Sequence, residues 1–170
     1  MLRTLKKIAS VGIVSEPMPA AEGQWRLRSE IEARILATLG RALCIRHVDA
    51  GSCNGCELEI HALTNPYYNL EGAGIKFVAS PRHADMLLVT GPVSKNMVSA
   101  LKRVYEATPE PKLVVAVGDC GSGRGVFCPS YAVCGRVADV IPVDVEIPGC
   151  PPSPAALLQG IAAAIAVGRS

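Results

Sequence analysis

The chain has 170 residues and a net charge of +2; 49% of its residues are apolar and 4% are aromatic. This length suits one domain with its own core, and the aliphatic composition is typical of α/β proteins with buried parallel strands. So small a charge argues against a nucleic-acid-binding protein. No apolar run reaches the roughly 20 residues of a membrane-spanning helix, and the start lacks the apolar core of a signal peptide. We therefore expect a cytoplasmic protein.

The beginning of the chain is expected to form an extension that precedes the domain. Pro17 and Pro19 interrupt this part, and the predicted division is residues 1–22 for the extension and residues 23–170 for a single α/β domain. Over residues 25–43, apolar residues recur every three or four positions, which predicts an amphipathic helix. Such a helix packs on its own domain or docks on a partner. Its single Trp and mixed charges favour a protein partner over a membrane surface.

Five short apolar segments downstream are predicted to be β-strands, with helices between and after them. The strands are expected at residues 44–50, 75–79, 86–90, 113–117 and 140–145. The helices are expected at residues 56–63, 95–107 and 154–167, the last with Ser153 as its N-cap. Pro142 places the last strand at an edge or interrupts it. This order predicts an open parallel sheet with helices on both faces, a flavodoxin-like arrangement.

Seven cysteines distinguish this sequence from an ordinary α/β protein. An odd number, no signal peptide and a Cys-x-x-Cys in a loop favour metal binding over a disulfide framework. Cys53 and Cys56 follow the first predicted strand, Cys120 follows the central strand, and Cys150 follows the last. Because the carboxyl ends of parallel strands face one crevice, these four thiols are expected to converge. The remaining three are expected to be small buried hydrophobic residues: Cys44, Cys128 and Cys134.

Four thiolates suit either an iron–sulfur cluster or zinc. Structural zinc is more often held by two close pairs of cysteines, whereas one pair followed by two distant single cysteines favours an iron–sulfur cluster. Zinc remains the alternative. A dinucleotide site is disfavoured, because Gly118, Gly121 and Gly123 lack the third position of the fingerprint and residues 127–129 make a poor helix start.

Five blocks of sequence resemble a known family. They are residues 51–57, 80–85, 109–112, 117–120 and 142–152. In this order they resemble the 20 kDa (B) subunit family of respiratory complex I and the small subunits of membrane-bound, energy-converting [NiFe] hydrogenases. The resemblance covers about residues 42–165. It implies one [4Fe–4S] cluster, with Cys53, Cys56, Cys120 and Cys150 as ligands.

The first cysteine pair separates the two branches of this family. The complex I branch has two adjacent cysteines there, whereas Cys53 and Cys56 are separated by two residues. The separated pair resembles the hydrogenase branch, especially the formate hydrogenlyase and carbon-monoxide-linked types. The B subunit of an NADH– or ferredoxin–quinone oxidoreductase is the alternative. A zinc-stabilised interaction module without redox activity is the alternative from another class.

The resemblance also implies partners and a location. The chain would be an electron-transfer subunit of a multisubunit oxidoreductase, without a complete active site of its own. Its partners would be a large catalytic subunit similar to that of [NiFe] hydrogenases or the complex I 49 kDa subunit, a ferredoxin-like polyferredoxin subunit and membrane-arm subunits. The complex would place it peripherally at the cytoplasmic face of the inner (plasma) membrane.

The sequence also suggests roles near the cluster for five titratable or charged residues. Glu57 is a possible proton relay beside the cluster, or an acid in the first turn of a helix favoured by the helix dipole. His47 and His83 could couple proton uptake to reduction, or be ordinary loop residues. Arg82 and Arg124 could stabilise the negative charge of the cluster, or be solvated.

The apolar residues around the cluster loops are expected to form a docking surface for the large subunit, because monomers rarely expose large apolar patches. This docking surface consists of Val126, Phe127, Tyr131, Pro151 and Pro152. The helix that contains Trp25 is expected to contribute at its flank.

Overall fold

The computed structural model describes residues 2–11 and 22–167. Its helices are α1 (Leu2–Val11), α2 (Glu22–Leu39), α3 (Gly55–Ala62), α4 (Val98–Ala107), α5 (Gly118–Gly121) and α6 (Pro154–Val167). Its strands are β1 (Leu43–Asp49), β2 (Ile75–Phe77), β3 (Met86–Thr90), β4 (Leu113–Val117) and β5 (Val145–Ile147). Short 3-10 turns cover Glu71–Ala73, Pro81–His83 and Val137–Asp139.

The strands form one sheet in the order β2-β1-β3-β4-β5, and all neighbouring strands are parallel. This is the flavodoxin-like order, so the predicted fold class is confirmed. Every residue of β3 is buried, and four of the five residues of β4 are buried. Continuous apolar strands of this kind occupy the centre of a sheet that is covered on both faces.

Two separate cores confirm that helices cover both faces of the sheet. On one face Leu88 and Val115 pack with residues of α2, α3 and α6. On the other face their neighbours in sequence, Leu87 and Val114, pack with Leu101 of α4 and the turn Val137–Asp139. This alternation follows from the two-residue period of a strand.

The strands at residues 86–90 and 113–117 and the helix at residues 154–167 are observed where they were predicted, and the boundaries of most other elements shift by a few residues. The helix predicted over residues 25–43 spans Glu22–Leu39 instead. It ends at Gly40, whose φ of 62° is left-handed and whose N–H donates to Leu36 O at 3.0 Å. Such a glycine stops a helix, and residues from Leu43 then pair as β1. Trp25 lies in α2, but its side chain lies outside the described part.

The last strand was predicted over residues 140–145, and this position was wrong. Strand β5 spans Val145–Ile147 and pairs with β4 at the edge of the sheet. The earlier apolar residues instead fill the second core, where Ile141 is buried and Val140 and Val143 pack against it. Pro142 was expected either to place the last strand at an edge or to interrupt it; β5 does lie at the edge, and Pro142 itself lies before it, outside any strand.

The extension predicted over residues 1–22 contains a helix, α1, that the sequence did not predict. The prolines that suggested a linker, Pro17 and Pro19, lie outside the described residues, so the domain division remains a prediction. Among the described helices, none combines the length and apolar character that crossing a membrane requires.

Candidate metal centre

The Cys-x-x-Cys loop is shaped by the residues that follow β1. The Asp49 carboxylate accepts hydrogen bonds from the backbone N–H groups of Gly51 and Ser52, each at 2.8 Å, and so turns the chain. Asn54 then adopts a left-handed φ of 72° directly before α3 begins. Asparagine tolerates this conformation better than most residues. Cys53 therefore lies in the turn and Cys56 in the first turn of α3.

The second cysteine loop follows β4 and approaches the first one closely. Gly118 has a φ of +81°, and a Cβ added to it would lie 2.8 Å from Cys56 Sγ. Only glycine meets both conditions, because it has no Cβ and accepts positive φ. A Cβ on Gly125 would also collide with Cys120 Sγ. The backbone thus lies against two of the predicted ligands.

The third loop, which carries Cys150, is fastened to the second by a pair of hydrogen bonds. The Asp119 N–H donates to Gly149 O at 2.8 Å, and the Gly149 N–H donates to Asp119 Oδ1 at 2.9 Å. The third loop also approaches the first, since a Cβ on Gly55 would lie 3.9 Å from Pro151. Each of the three cysteine loops therefore lies against the other two.

Replacing Asp119 should loosen this arrangement. Asp119→Ala leaves the Gly149 N–H without its acceptor, and we expect it to lower the free energy of unfolding by about 1–3 kcal/mol. Asp119→Asn retains an Oδ1 acceptor and should lose less. Urea denaturation of both variants, purified anaerobically, measures the difference. Equal stabilities for the Ala variant and the original protein would contradict the assigned role.

The four thiols predicted as ligands lie close enough to interact electrostatically. Burial is the largest cause that raises the pKa of Cys56 to about 12, and Glu57 and the thiols of Cys120, Cys53 and Cys150 contribute to the same rise. The pKa of Cys120 is also raised, mainly by burial and then by Cys150 and Cys53. These two thiols are therefore protonated at neutral pH in the protein alone, and a metal must displace their protons to bind.

The thiols differ in access to solvent. Cys120 is buried and Cys56 is half-buried, while Cys53 and Cys150 are exposed. The site thus has a closed side toward the sheet and an open side at the surface. Within residues 2–11 and 22–167, no three His, Cys, Asp or Glu side chains are grouped as tightly as one metal ion requires. The assignment of the four cysteines as ligands remains a prediction.

A buried carboxylate lies beside the thiols. Glu57 is 9% exposed, and two hydroxyl groups donate to it. The Ser52 hydroxyl donates to Oε2 at 2.5 Å, and the hydroxyl of Thr90, at the end of β3, donates to Oε1. His47 Nε2 lies 3.0 Å from Thr90 Oγ1 and 3.5 Å from Glu57 Oε1. These contacts satisfy a carboxylate that would otherwise be costly to bury.

The histidine in this network is held neutral. Burial lowers the pKa of His47, and it outweighs the opposing effect of the nearby Glu57 carboxylate. His47 and Glu57 line a cavity of about 420 Å³ together with Arg46, His61 and Asn54. The network therefore connects the surroundings of Cys56 with a cavity that has both polar and apolar walls. The sequence analysis identified Glu57 and His47 as candidates for proton transfer. It did not identify Thr90, whose hydroxyl links them.

Three residues considered in the sequence analysis lie at the amino ends of the strands, opposite the four thiols. They are Cys44, Arg82 and His83. Arg82 and His83 precede β3, at the amino end of the strands, and are exposed. They line a cavity there together with Cys44 and with Asp85, whose carboxylate pairs with Arg41 at 2.6 Å. The alternative that Arg82 and His83 are ordinary exposed loop residues is therefore favoured, because the thiols collect at the carboxyl end.

The remaining candidates are Arg124, Cys128 and Cys134, which lie on the connection that follows α5. Cys128 and Cys134 line one cavity of about 450 Å³, and Cys128 contributes to the raised pKa of Cys120. Of the three cysteines expected to be buried, Cys44 and Cys128 are half-buried and Cys134 is exposed, so that expectation was wrong. Arg124 is exposed and lies 4.0 Å from the Glu146 carboxylate.

The predicted docking surface is largely exposed in the chain by itself. Val126 is 84% exposed, Phe127 45% and Tyr131 92%. Pro151 is also exposed, but Pro152 is buried, against the position of Gly118. Pro152 therefore does not belong to this surface, and the term docking surface refers below to Val126, Phe127, Tyr131 and Pro151.

Taken together, an open parallel sheet with four thiols on three touching loops at its carboxyl edge defines a flavodoxin-like protein with a candidate metal centre. Residues 53–164 match the family described as NADH ubiquinone oxidoreductase, 20 Kd subunit. The chain belongs to this family. The resemblance inferred from the sequence blocks is thereby confirmed.

Individual relatives indicate the branch. The chain is 48% identical to the "Probable membrane-bound hydrogenase subunit mbhJ" of Pyrococcus furiosus over 140 residues, which cover 82% of this chain and 83% of that protein. It is 45% identical to "Formate hydrogenlyase subunit 7" of Escherichia coli over 137 residues, which cover 81% of this chain and 54% of that protein.

A solved structure has the same fold. It is described as the membrane-bound sulfane sulfur reductase (MBS), an archaeal respiratory membrane complex. One of its chains matches with a TM-score of 0.67 and 29% identity, over 89% of this chain and 78% of that chain.

Proposed function

We propose that Cys53, Cys56, Cys120 and Cys150 hold one [4Fe–4S] cluster. The observation that carries this proposal is the mutual contact of the three loops, which brings four thiols to one edge of the sheet. Four cysteine thiolates are the usual ligands of such a cluster, which supplies one-electron transfer when bound. The half-buried and buried thiols lie on the sheet side, and the exposed thiols face a partner.

The residues present fit a cluster better than a single zinc ion. In a four-iron cluster each cysteine binds a different iron, whereas one zinc ion draws its thiolates to about 2.3 Å. In this chain the four thiols come from one close pair and two distant single cysteines, and they influence one another electrostatically. Glycines lie beside Cys56 and Cys120, so the main chain can lie directly against their sulfur atoms.

The function supported best is that of the small, electron-transferring subunit of a complex I-like, membrane-bound [NiFe]-hydrogenase complex. The relatives named as hydrogenase and formate hydrogenlyase subunits support this branch, as does the spacing of Cys53 and Cys56. A four-cysteine site leaves no open position for a substrate, so the catalytic metal belongs to a large partner subunit. A polyferredoxin subunit would exchange electrons with the cluster, and membrane-arm subunits would hold the complex at the cytoplasmic face of the membrane.

A different reductase partner is the second candidate. The chain shares its fold with a chain of a sulfane sulfur reductase complex, and its family is described by a ubiquinone oxidoreductase. In either case this chain would carry electrons in the same way, and the large subunit would determine the substrate.

The test of the function is to purify a tagged chain anaerobically with the subunits that accompany it. We expect a large subunit to co-purify with about one nickel per complex and with hydrogen-evolving activity that uses a reduced ferredoxin. A complex without nickel that reduces a quinone or a sulfur compound would replace the hydrogenase assignment with the second candidate.

We propose that Glu57 moves protons next to this electron path. Hydrogen bonds run from His47 Nε2 through the Thr90 hydroxyl to Glu57 Oε1, and a cavity that Arg46 and His61 also line adjoins them. A buried carboxylate in such a chain can accept a proton at Oε1 when the charge nearby changes.

Replacing Glu57 by Gln should separate proton transfer by this residue from electron transfer by the cluster. The substitution keeps the size of the side chain but removes its ability to take up a proton, and we expect turnover of the assembled complex to fall by about 100-fold or more. The visible absorbance of the cluster should remain. Glu59→Gln, which changes a carboxylate in the same helix outside the network, is the matched control. Unchanged turnover in the Glu57 variant would contradict the relay.

A further inference from the structure

Helix α1 (Leu2–Val11) has two chemically different sides. Leu2, Leu5 and Ala9 follow one another at three- and four-residue spacing and share one side. The cationic residues Arg3, Lys6 and Lys7 are related by the same spacings and share the other side with Ser10. No acidic residue occurs in this segment. The helix is therefore amphipathic and purely basic.

The apolar side of α1 is uncovered. Leu2 is 73% exposed and Leu5 58%, and every α1 side chain whose burial is described is exposed. A helix of 10 residues is about 15 Å long. Isolated helices of this length are only marginally stable in water. The helix therefore needs a surface against which its apolar side can pack.

We propose that α1 lies on the anionic surface of a lipid bilayer. Three cations without a compensating acid complement negatively charged lipid headgroups. Two leucines on one side of a short helix suit shallow insertion at the boundary between headgroups and acyl chains, as in other interfacial helices. The assumption that a bilayer lies near α1 rests on the proposed function. The charge of α1 and its exposed leucines are observed independently of that function.

The interaction is expected to be weak and dependent on charge. Each Lys or Arg near an anionic membrane surface strengthens binding by about fivefold, and salt screens this attraction. One short helix thus adds reversible contact to a complex that is already held at the membrane. Two removed charges should weaken binding by about 25-fold.

The test is flotation of the full chain, purified anaerobically, with vesicles of phosphatidylglycerol mixed with phosphatidylcholine, or of phosphatidylcholine alone, because aggregated chain does not float in the gradient. We expect binding to the anionic vesicles only, lost in high salt. The double variant Lys6→Gln/Lys7→Gln should weaken binding by about 25-fold, and Leu5→Ser should also weaken it. The control Lys102→Gln/Arg103→Gln removes two equally exposed charges from α4 and should have little effect.

Equal binding to both kinds of vesicle, no binding, or no effect of the α1 variants would overturn the proposal. Hydrogen exchange of residues 2–11 provides a second measurement, with protection expected when anionic vesicles are added. Protection that arises only from a co-purified subunit, without lipid, would instead identify a protein groove as the occupant and overturn the lipid assignment. Neither measurement requires the metal centre or hydrogenase activity, so failure here leaves the proposed function untouched.

Discussion

Cys120→Ser and Cys150→Ser variants should each be purified without an iron–sulfur cluster. Cys120 is 8% exposed and Cys150 lies on the loop that is hydrogen-bonded to Asp119, so both thiols are held in place by the fold. A serine hydroxyl is a harder and more weakly acidic ligand than a thiol and does not suit iron–sulfur clusters. The expected result is loss of the brown colour and of nearly all iron and sulfide under anaerobic conditions.

The control for these variants is Cys128→Ser. Cys128 is the most demanding control in the described part of the chain, because it is near enough to influence the pKa of Cys120. Cys134→Ser is the second control. Both should retain the colour and the metal content of the original protein. If Cys128→Ser abolishes the visible spectrum while Cys150→Ser preserves it, the ligand assignment is wrong.

Replacing Tyr131 by Glu should detach the large subunit. Tyr131 is 92% exposed in the chain alone and lies on the docking surface with Val126, which is 84% exposed. Aromatic residues at the centre of an interface commonly contribute at least about 2 kcal/mol, which corresponds to about 30-fold in affinity. A buried carboxylate without a partner adds to this loss. The measurement is the yield of large subunit that co-purifies with the tagged chain.

The matched control is Tyr67→Glu, which changes an exposed tyrosine on the connection between α3 and β2. It should leave co-purification unchanged. The original chain expressed without its large subunit should aggregate or lose its cluster in air, because the docking surface and two thiols are uncovered. A chain that stays monomeric and loaded with its cluster by itself would indicate a free-standing electron carrier.

The sequence predicted the parts of the fold that local pattern determines. Strands β3 and β4 are continuous apolar runs, and their positions were correct. The segment at residues 140–145 is also rich in apolar residues, but Val140, Ile141 and Val143 fill the second core, and only Val145 pairs in the sheet. Apolar pattern alone does not distinguish these two ways of burying a residue.

The convergence of the cysteine loops was predictable because chain direction in a parallel sheet fixes which ends meet. The same rule does not exclude Arg82 and His83, because they lie between β2 and β3, and only the structure places them at the amino end of β3. By contrast, the hydrogen bonds of Asp119 with Gly149 and of Thr90 with Glu57 join residues about 30 positions apart. Such side-chain contacts depend on how the loops pack, and single-sequence pattern carries no signal for them.

The most direct measurement is the content of iron, acid-labile sulfide and zinc in the full chain purified anaerobically with its complex. To count this chain's metal alone, the same analysis is made on a complex whose only difference is Cys150→Ser. The original complex should contain about four more irons and four more sulfides than the variant complex, as one [4Fe–4S] cluster requires. A difference of one zinc ion, with no difference in sulfide, would contradict the account.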